Sequence, residues 1–496
     1  MSLALRTAGT FWLKRTAKWS AMRPAPAPGV TVFANARINK STSYPCIAPR
    51  VQKHPDLSAF GTGHSAPPSR ELGTPTAHTA NRYAKLLKTA PNDRKLNNNL
   101  NKVKSILIII LTIAVFNVFI SSVNIDRDSR KNVILDTTYS KLPILHLNGT
   151  PYENGFQHGK IMKSKIIKLV GLWKNDIEKR YQISADKFIT TFLDSTDYIP
   201  AIKKWTPDLF EEIKGISDGS GIDFSTIFAF QLIDEIWTNA RLINIPHHCT
   251  SVGINNYKKY GSSNYIAQNF DITPFYHGFE ILLDIKGKNT DSRKLVTTFA
   301  GYIGANGLNK HFGIIENTLS DLNSSLNGLP VCCIARGVLE KTSFEEAVNF
   351  IKTIKHASGQ NYIVGSNHDI ISLECASDLV TEYWPDSTKD YTFHANRPLT
   401  NNSYHPAYLA YLKASYGSIP ESISFSDERL ESIKNIILNN QHISLMTIKD
   451  ALSKKPICNS NTFVSTIMEF DNDYSELRIS PGKPDSTEYI VFRIKK

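Results

Sequence analysis

The order of apolar and polar positions divides this 496-residue chain into three unlike stretches. Residues 1–100 show little sustained periodicity. From Ser105 to Ile125 no charged residue occurs, and positions 106–116 read Ile-Leu-Ile-Ile-Ile-Leu-Thr-Ile-Ala-Val-Phe. About 20 apolar residues are enough to cross a bilayer as a helix. Residues 133–496 show the alternations and helical spacings of a globular domain.

Within that domain the pattern predicts a strand over 142–147, a turn at Asn148-Gly149-Thr150-Pro151 and a helix from Tyr152. Residues 184–237 read as mostly helical, interrupted at Trp205-Thr206-Pro207 and Gly219-Ser220-Gly221. After Cys249 the texture turns to strands: 250–254, 265–270, 279–285, 295–302, 362–364, 370–373, 391–394, 464–470 and 489–494. Ser343 with Glu346 three residues on forms a capping box for a helix over 343–354, and 428–438 is a second helix in this half. Helices flanking two groups of antiparallel strands predict a layered α+β fold.

Charge sharpens the division. Residues 1–104 carry 17 Lys/Arg against 3 Asp/Glu, so the net charge of +12 belongs to the tail and the rest is close to neutral. A nearly neutral domain argues against nucleic-acid binding, which needs a basic face. The basic, acid-poor tail at 1–100 reads as a disordered segment, an organelle transit segment or foreign sequence joined by a mis-assigned start. Lys102 and Lys104 before the apolar run place its N-terminal side in the cytoplasm. The expectation is a single transmembrane helix over 105–125 with the domain outside the cytoplasm, or a signal segment and secretion. Six cysteines without CxxC or Cys/His spacing give neither a disulfide scaffold nor a zinc site, so no metal is expected.

The candidate chemistry lies at Cys249 and Asp271. A hairpin over 250–270 brings the Asp271 carboxylate back toward the Cys249 thiol, a nucleophile beside an orienting group. A buried inert thiol and a turn aspartate are the structural alternative. His248 neighbours Cys249, but adjacent strand side chains point to opposite faces, so it is poorly placed as a base.

Eight segments then occur in order: Gly149 to Gly159; Glu212 to Gly221 with Glu235; Cys249-Thr250-Ser251 with Gln268 to Asp271; Gly301 to Asn309 running on to Asn317; Gly328-Leu329-Pro330 with Arg336; Ala357-Ser358 with Glu374; His394-Ala395-Asn396-Arg397-Pro398; and Thr462 to Ser465. Together they resemble the acyl-coenzyme A:6-aminopenicillanic acid acyltransferase family of N-terminal-nucleophile hydrolases, over roughly residues 140–495. The resemblance implies a four-layer αββα sandwich and self-cleavage at the His248–Cys249 bond. It also implies an amide-acting hydrolase or acyltransferase that works through a Cys249 thioester. The new α-amino group, with a reference pKa near 8, would serve as general base. Asp271 would hold that group, Asn396 would supply the oxyanion donor, and Asn317 matches a further site position. Gln268, Asn269 and Asn309 are candidate substrate contacts, and a small-molecule amide or acyl thioester is the expected partner, with no cofactor. Two departures stand out: several relatives carry glycine where His248 stands, and an arginine where this chain reads Cys458-Asn459-Ser460-Asn461. They leave open a membrane-anchored binding protein on an inactive hydrolase scaffold.

Overall fold

The computed structural model describes residues 134–136, 142–240, 249–286, 293–418, 425–440 and 442–496. The tail at 1–100, the apolar run at 105–125, and His248 lie outside them. Among the described residues no helix is long and apolar enough to cross a membrane.

The chain enters through β1 (Ile134–Asp136) and β2 (Ile144–Leu147), then runs through seven helices: α1 (Pro151–Ile161), α2 (Lys163–Tyr181), α3 (Ala185–Asp194), α4 (Ile199–Trp205), α5 (Pro207–Ser220), α6 (Phe224–Phe230) and α7 (Ile233–Ala240). Helix α1 starts where the sequence demands it. Thr150 Oγ1 accepts from the Glu153 N–H, Glu153 Oε2 accepts from the Thr150 N–H, and Pro151 occupies the first turn. The capping box predicted at Ser343 is half right. Ser343 Oγ accepts from the Glu346 N–H, but the Glu346 carboxylate turns back to Thr342.

Two sheets follow. One has nine strands in the order β1-β2-β5-β6-β7-β8-β9-β10-β11, with β5 (Glu280–Lys286), β6 (Arg293–Phe299), β7 (Asn306–Leu308), β8 (Phe312–Thr318), β9 (Gln360–Ser366), β10 (Ile370–Cys375) and β11 (Val380–Glu382). The other has six, in the order β12-β3-β4-β13-β14-β15, with β3 (Thr250–Ile254), β4 (Asn264–Asp271), β12 (Tyr391–His394), β13 (Thr462–Phe470), β14 (Tyr474–Ser480) and β15 (Ile490–Lys495). Neighbours pair antiparallel except β2 and β5, which run parallel, a pairing the sequence reading did not anticipate. A short helix, α8 (Asn256–Tyr260), fills the β3–β4 connection.

The sheets lie face to face through β3 and β4 against β8 and β9. Glycines let them approach: a Cβ on Gly253 would press on Ile370 and Ile363, and one on Gly365 would press on Ile266. Helices α9 (Val331–Leu339) and α10 (Phe344–Thr353) cover the outer face of the nine-stranded sheet, and α12 (Phe425–Leu438) and α13 (Leu445–Ser453) that of the six-stranded one. Helix α11 (Pro406–Tyr416) lies between β12 and α12 in the chain. The arrangement is helix, sheet, sheet, helix. A main core cluster includes Leu282, Phe299, Ile315 and Phe463; a second, with Val252, Ile433 and Leu452, lies under α12 and α13.

Candidate active site

Cys249 immediately precedes β3 and is buried, 3% exposed. The β3–β4 register sets Thr250 opposite Asn269 and Ser251 opposite Gln268, so the end of β4 returns beside Cys249. Its Sγ lies 3.9 Å from the Asp271 carbonyl oxygen. Where β4 pairs with β13, the register slips between Thr462 and Val464. Such a bulge re-aims a side chain beside a site, and it falls at Asp271.

The Asp271 carboxylate accepts from Asn459 Nδ2 at 2.5 Å, while its other oxygen has no hydrogen-bond partner among the described residues. Burial pushes its pKa up to about 7, restrained by Arg429, Thr462 and Asn459. Burial, with the nearby Asp271 charge, also pushes the Cys249 thiol well above its usual range. In the continuous chain this thiol is therefore poorly activated.

Asn396, just after β12, donates from Nδ2 to the Thr318 carbonyl at 3.0 Å. Its Oδ1 accepts from Arg429 Nη2 at 3.0 Å, and the other arm of Arg429 donates to the Cys249 carbonyl at 2.6 Å and to Thr250 Oγ1 at 2.8 Å. One guanidinium from α12 thus ties the Cys249 backbone to Asn396. Asn317 Oδ1 accepts from Ser251 Oγ at 2.5 Å, and its buried Nδ2 has no acceptor among the described residues.

The Asn396 loop is held from below. Glu374 accepts from the N–H groups of Leu399, Thr400 and Asn401 and faces His394 Nε2 at 2.8 Å. His394 Nδ1 faces the Ala395 carbonyl at 2.8 Å. Burial opposes ionisation of Glu374, yet His394 and the backbone donors hold its pKa below the usual range.

The three candidate substrate contacts lie elsewhere. Gln268 is fully buried between the sheets, donating to the Glu316 carbonyl and accepting from Asn306 Nδ2 at 2.5 Å. Asn269 faces the opposite side of β4 and donates to the Leu452 and Ile457 carbonyls at 2.8 and 3.2 Å. Asn309 caps the β7–β8 turn, accepting from the His311 and Phe312 N–H groups. None of the three lines the cleft at Cys249.

That cleft is tight: its cavity is about 10 Å³, and the 420 Å³ of space between its atoms counts the open solvent at its mouth. Its walls include Asp234, Trp237, Cys249, Phe270, Asp271, Tyr302, Glu316 and Thr318. Asp234 Oδ1 accepts from Thr318 Oγ1 at 2.6 Å. Among the described residues no group of three or more His, Cys, Asp or Glu side chains is disposed to hold a metal ion.

Sequence reasoning passed over Arg429, Asn459, Asp234 and Glu316. Arg429 carried a signal. With Ile433 and Ile436 it falls on the i, i+4, i+7 stripe of α12, a charge on an apolar face. Glu316 likewise interrupts the apolar run Phe312-Gly313-Ile314-Ile315. The arginine looked for just before Thr462 is not there. Asn459 binds Asp271 at that place, and the guanidinium beside Cys249 comes from α12.

The chain is similar to protein dcd1A of Dictyostelium discoideum, 27% identical over 277 residues that make up 47% of this chain and 60% of that protein. It is 25% identical to protein dcd1B over 52% of that protein's length, so the chain spans a little over half of these relatives. It is 24% identical to acid ceramidase of Rattus norvegicus over 332 residues, 59% of this chain and 77% of the enzyme. Identity to the Emericella nidulans acyl-coenzyme A:6-aminopenicillanic-acid-acyltransferase 40 kDa form is also 24%, over 70% of this chain and 96% of that protein. The structure of a Caenorhabditis elegans N-acylethanolamine-hydrolyzing acid amidase ortholog aligns with a TM-score of 0.33 at 18% identity, covering 44% of this chain and 92% of that one. Residues 258–474, which begin just after Cys249, match the family model described as acyl-coenzyme A:6-aminopenicillanic acid acyl-transferase. That match spans a little under half of the chain, which is homologous to the Emericella acyltransferase and to acid ceramidase.

Proposed function

We propose that this protein is an amide-acting cysteine hydrolase or acyltransferase of the N-terminal-nucleophile type, self-cleaved at His248–Cys249. The observation that carries this reading is the convergence on one cleft of Cys249 and Asp271, with Arg429 joining Cys249 to Asn396. The same convergence favours an enzyme over an inactive binding scaffold. Cleavage answers the poor activation of the buried thiol, because it turns the Cys249 amide nitrogen into an amine that accepts the thiol proton. Sγ then attacks the substrate carbonyl carbon, and the carbonyl oxygen becomes an oxyanion near the Asn396 and Asn317 amides. The C–N bond breaks, the amine departs with the proton held by the α-amino group, and a thioester remains. Water or a second amine attacks the thioester and regenerates the thiol. Asp271, through its free carboxylate oxygen, accepts a hydrogen bond from the new α-ammonium.

Cys249→Ala protein is expected to lose at least about 1000-fold of any amide turnover, together with labelling by an electrophilic acyl probe. Unchanged turnover in that variant sinks the mechanism. We also propose that residues 105–125 anchor the chain in a membrane with the catalytic domain outside the cytoplasm, supported by their uncharged apolar run. In sealed vesicles with the cytoplasmic face outward, the domain is expected to resist added protease until detergent opens them, and digestion before detergent refutes the orientation.

A further inference from the structure

Most of the wall of the cleft at Cys249 is apolar, with Ile233, Ile272 and Phe299 beside the aromatic side chains, but charge breaks into it. Besides Asp271, two carboxyl groups enter its wall, Asp234 from α7 and Glu316 from β8. Glu316 is 6% exposed, and its Oε2 has no hydrogen-bond partner among the described residues. Gln268, which lies against Glu316, engages its backbone carbonyl and leaves the carboxyl alone. Asp234 is held by Thr318 Oγ1 at 2.6 Å and by Gln360 Nε2 at 3.4 Å, both uncharged donors. Glu316 is influenced electrostatically by Asp234 and Glu235, and burial pushes its pKa well up.

A buried carboxyl without a partner or a countercharge is expensive. An apolar acyl chain in this cleft would remove the remaining water and leave that cost standing. A cation would supply both the charge and the hydrogen-bond donors. The rest of the wall suits one as well, because Trp237, Phe270 and Tyr302 offer aromatic surface.

We propose that this cleft selects amides that also carry an ammonium group, received by Asp234 and Glu316 within an aromatic surround beside the carbonyl that Cys249 attacks. The proposal rests on the amidase reading for the reaction, but the binding it predicts is independent of turnover.

The test uses full-length Cys249→Ala protein and calorimetric titration with γ-aminobutanamide and its neutral isostere valeramide. The ammonium ligand is expected to bind on the order of tenfold tighter or more. Asp234→Asn and Glu316→Gln, which keep side-chain volume, are each expected to erase most of that preference. Equal affinities, no binding of γ-aminobutanamide at millimolar concentration, or a preference that survives both substitutions overturns the proposal. The two readings fail separately. Wild-type protein that hydrolyses neutral and cationic amides equally keeps the enzyme and loses the cation site. Protein that binds the ammonium ligand with an inert Cys249 keeps the site and loses the enzyme.

Discussion

Arg429 is the residue on which the candidate site hangs, since it donates to the Cys249 carbonyl, Thr250 Oγ1 and Asn396 Oδ1 at once. Its fork geometry matters as much as its charge. A lysine has a single point of charge and cannot span the three acceptors. Arg429→Lys is therefore expected to lower kcat by about tenfold or more through misplacement of Asn396. Arg429→Ala strands the acceptors and the nearby Asp271 charge, and is expected to destabilise the fold by ~3 kcal/mol. Equal kcat for wild type and Arg429→Lys would remove Arg429 from the machinery. The juxtaposition of Cys249 and Asp271 was legible because the two sit at the two ends of a hairpin the sequence spells out. Gln268, Asn269 and Asn309 show the limit of that reading. Polar side chains on strands buried on both faces are as readily used to join layers, and only the three-dimensional arrangement tells the two uses apart.

At the scale of elements, the glycines of the first two motifs have a packing reason. Gly155 and Gly159 of α1 face Gly215 and Gly219 of α5, with the backbones in close approach. A Cβ on Gly155 would come within 1.9 Å of the Glu212 carbonyl oxygen, and one on Gly215 within 2.2 Å of the Tyr152 carbonyl oxygen. Backbone cannot yield as a flexible side chain can, so Gly155→Ala is expected to cost about 2 kcal/mol or more, read as a lower midpoint in urea. An unchanged midpoint would show that the helices stand further apart. Glu212 shares this interface and pairs through both carboxylate oxygens with buried Arg336 at 2.9 and 2.8 Å, which joins the α1–α5 pair to α9. Element types were legible where a turn and a clean period marked them, as after the 148–151 turn and along 391–394, whereas α13 was passed over despite its Ser444 cap. Strand β8 was not, because all seven of its residues are buried and a strand covered on both faces loses its alternation. Strand β14, between a turn at Asp471 and the C-terminal strand, was also passed over.

For the molecule as a whole, the buried titratable groups set an expected pH dependence. Burial pushes Glu235 up to about 8, with Asp234 adding to it, and pushes Asp271 and Asp321 up to about 7 and about 6. A carboxyl whose folded pKa exceeds its unfolded value holds its proton more tightly in the fold. Its contribution is fully present below about pH 4 and is lost as pH rises through the folded value. His158 and His356, held down to about 3 and about 4 by burial, act in the opposite sense and cost stability below about pH 6.5, where the unfolded imidazoles take up protons. The raised carboxyls, which also include Asp234 and Glu316, outweigh the lowered imidazoles and favour mildly acidic solution. The thermal midpoint of the uncut Cys249→Ala chain is expected to be higher at about pH 5.5 than at about pH 8, and the reverse order contradicts this assignment. The layered fold was legible from the grouping of helices and strands, whereas the contribution of α12 to the site was not, since it depends on a contact between residues 180 positions apart. The central claim is that Cys249 becomes an N-terminal nucleophile. Intact-mass measurement of the purified full-length protein tests it most directly, beside Cys249→Ala. The account predicts a wild-type polypeptide beginning at Cys249 that gains one acyl-probe adduct, and a variant that stays whole; a wild-type chain that stays whole while hydrolysing amides would contradict it.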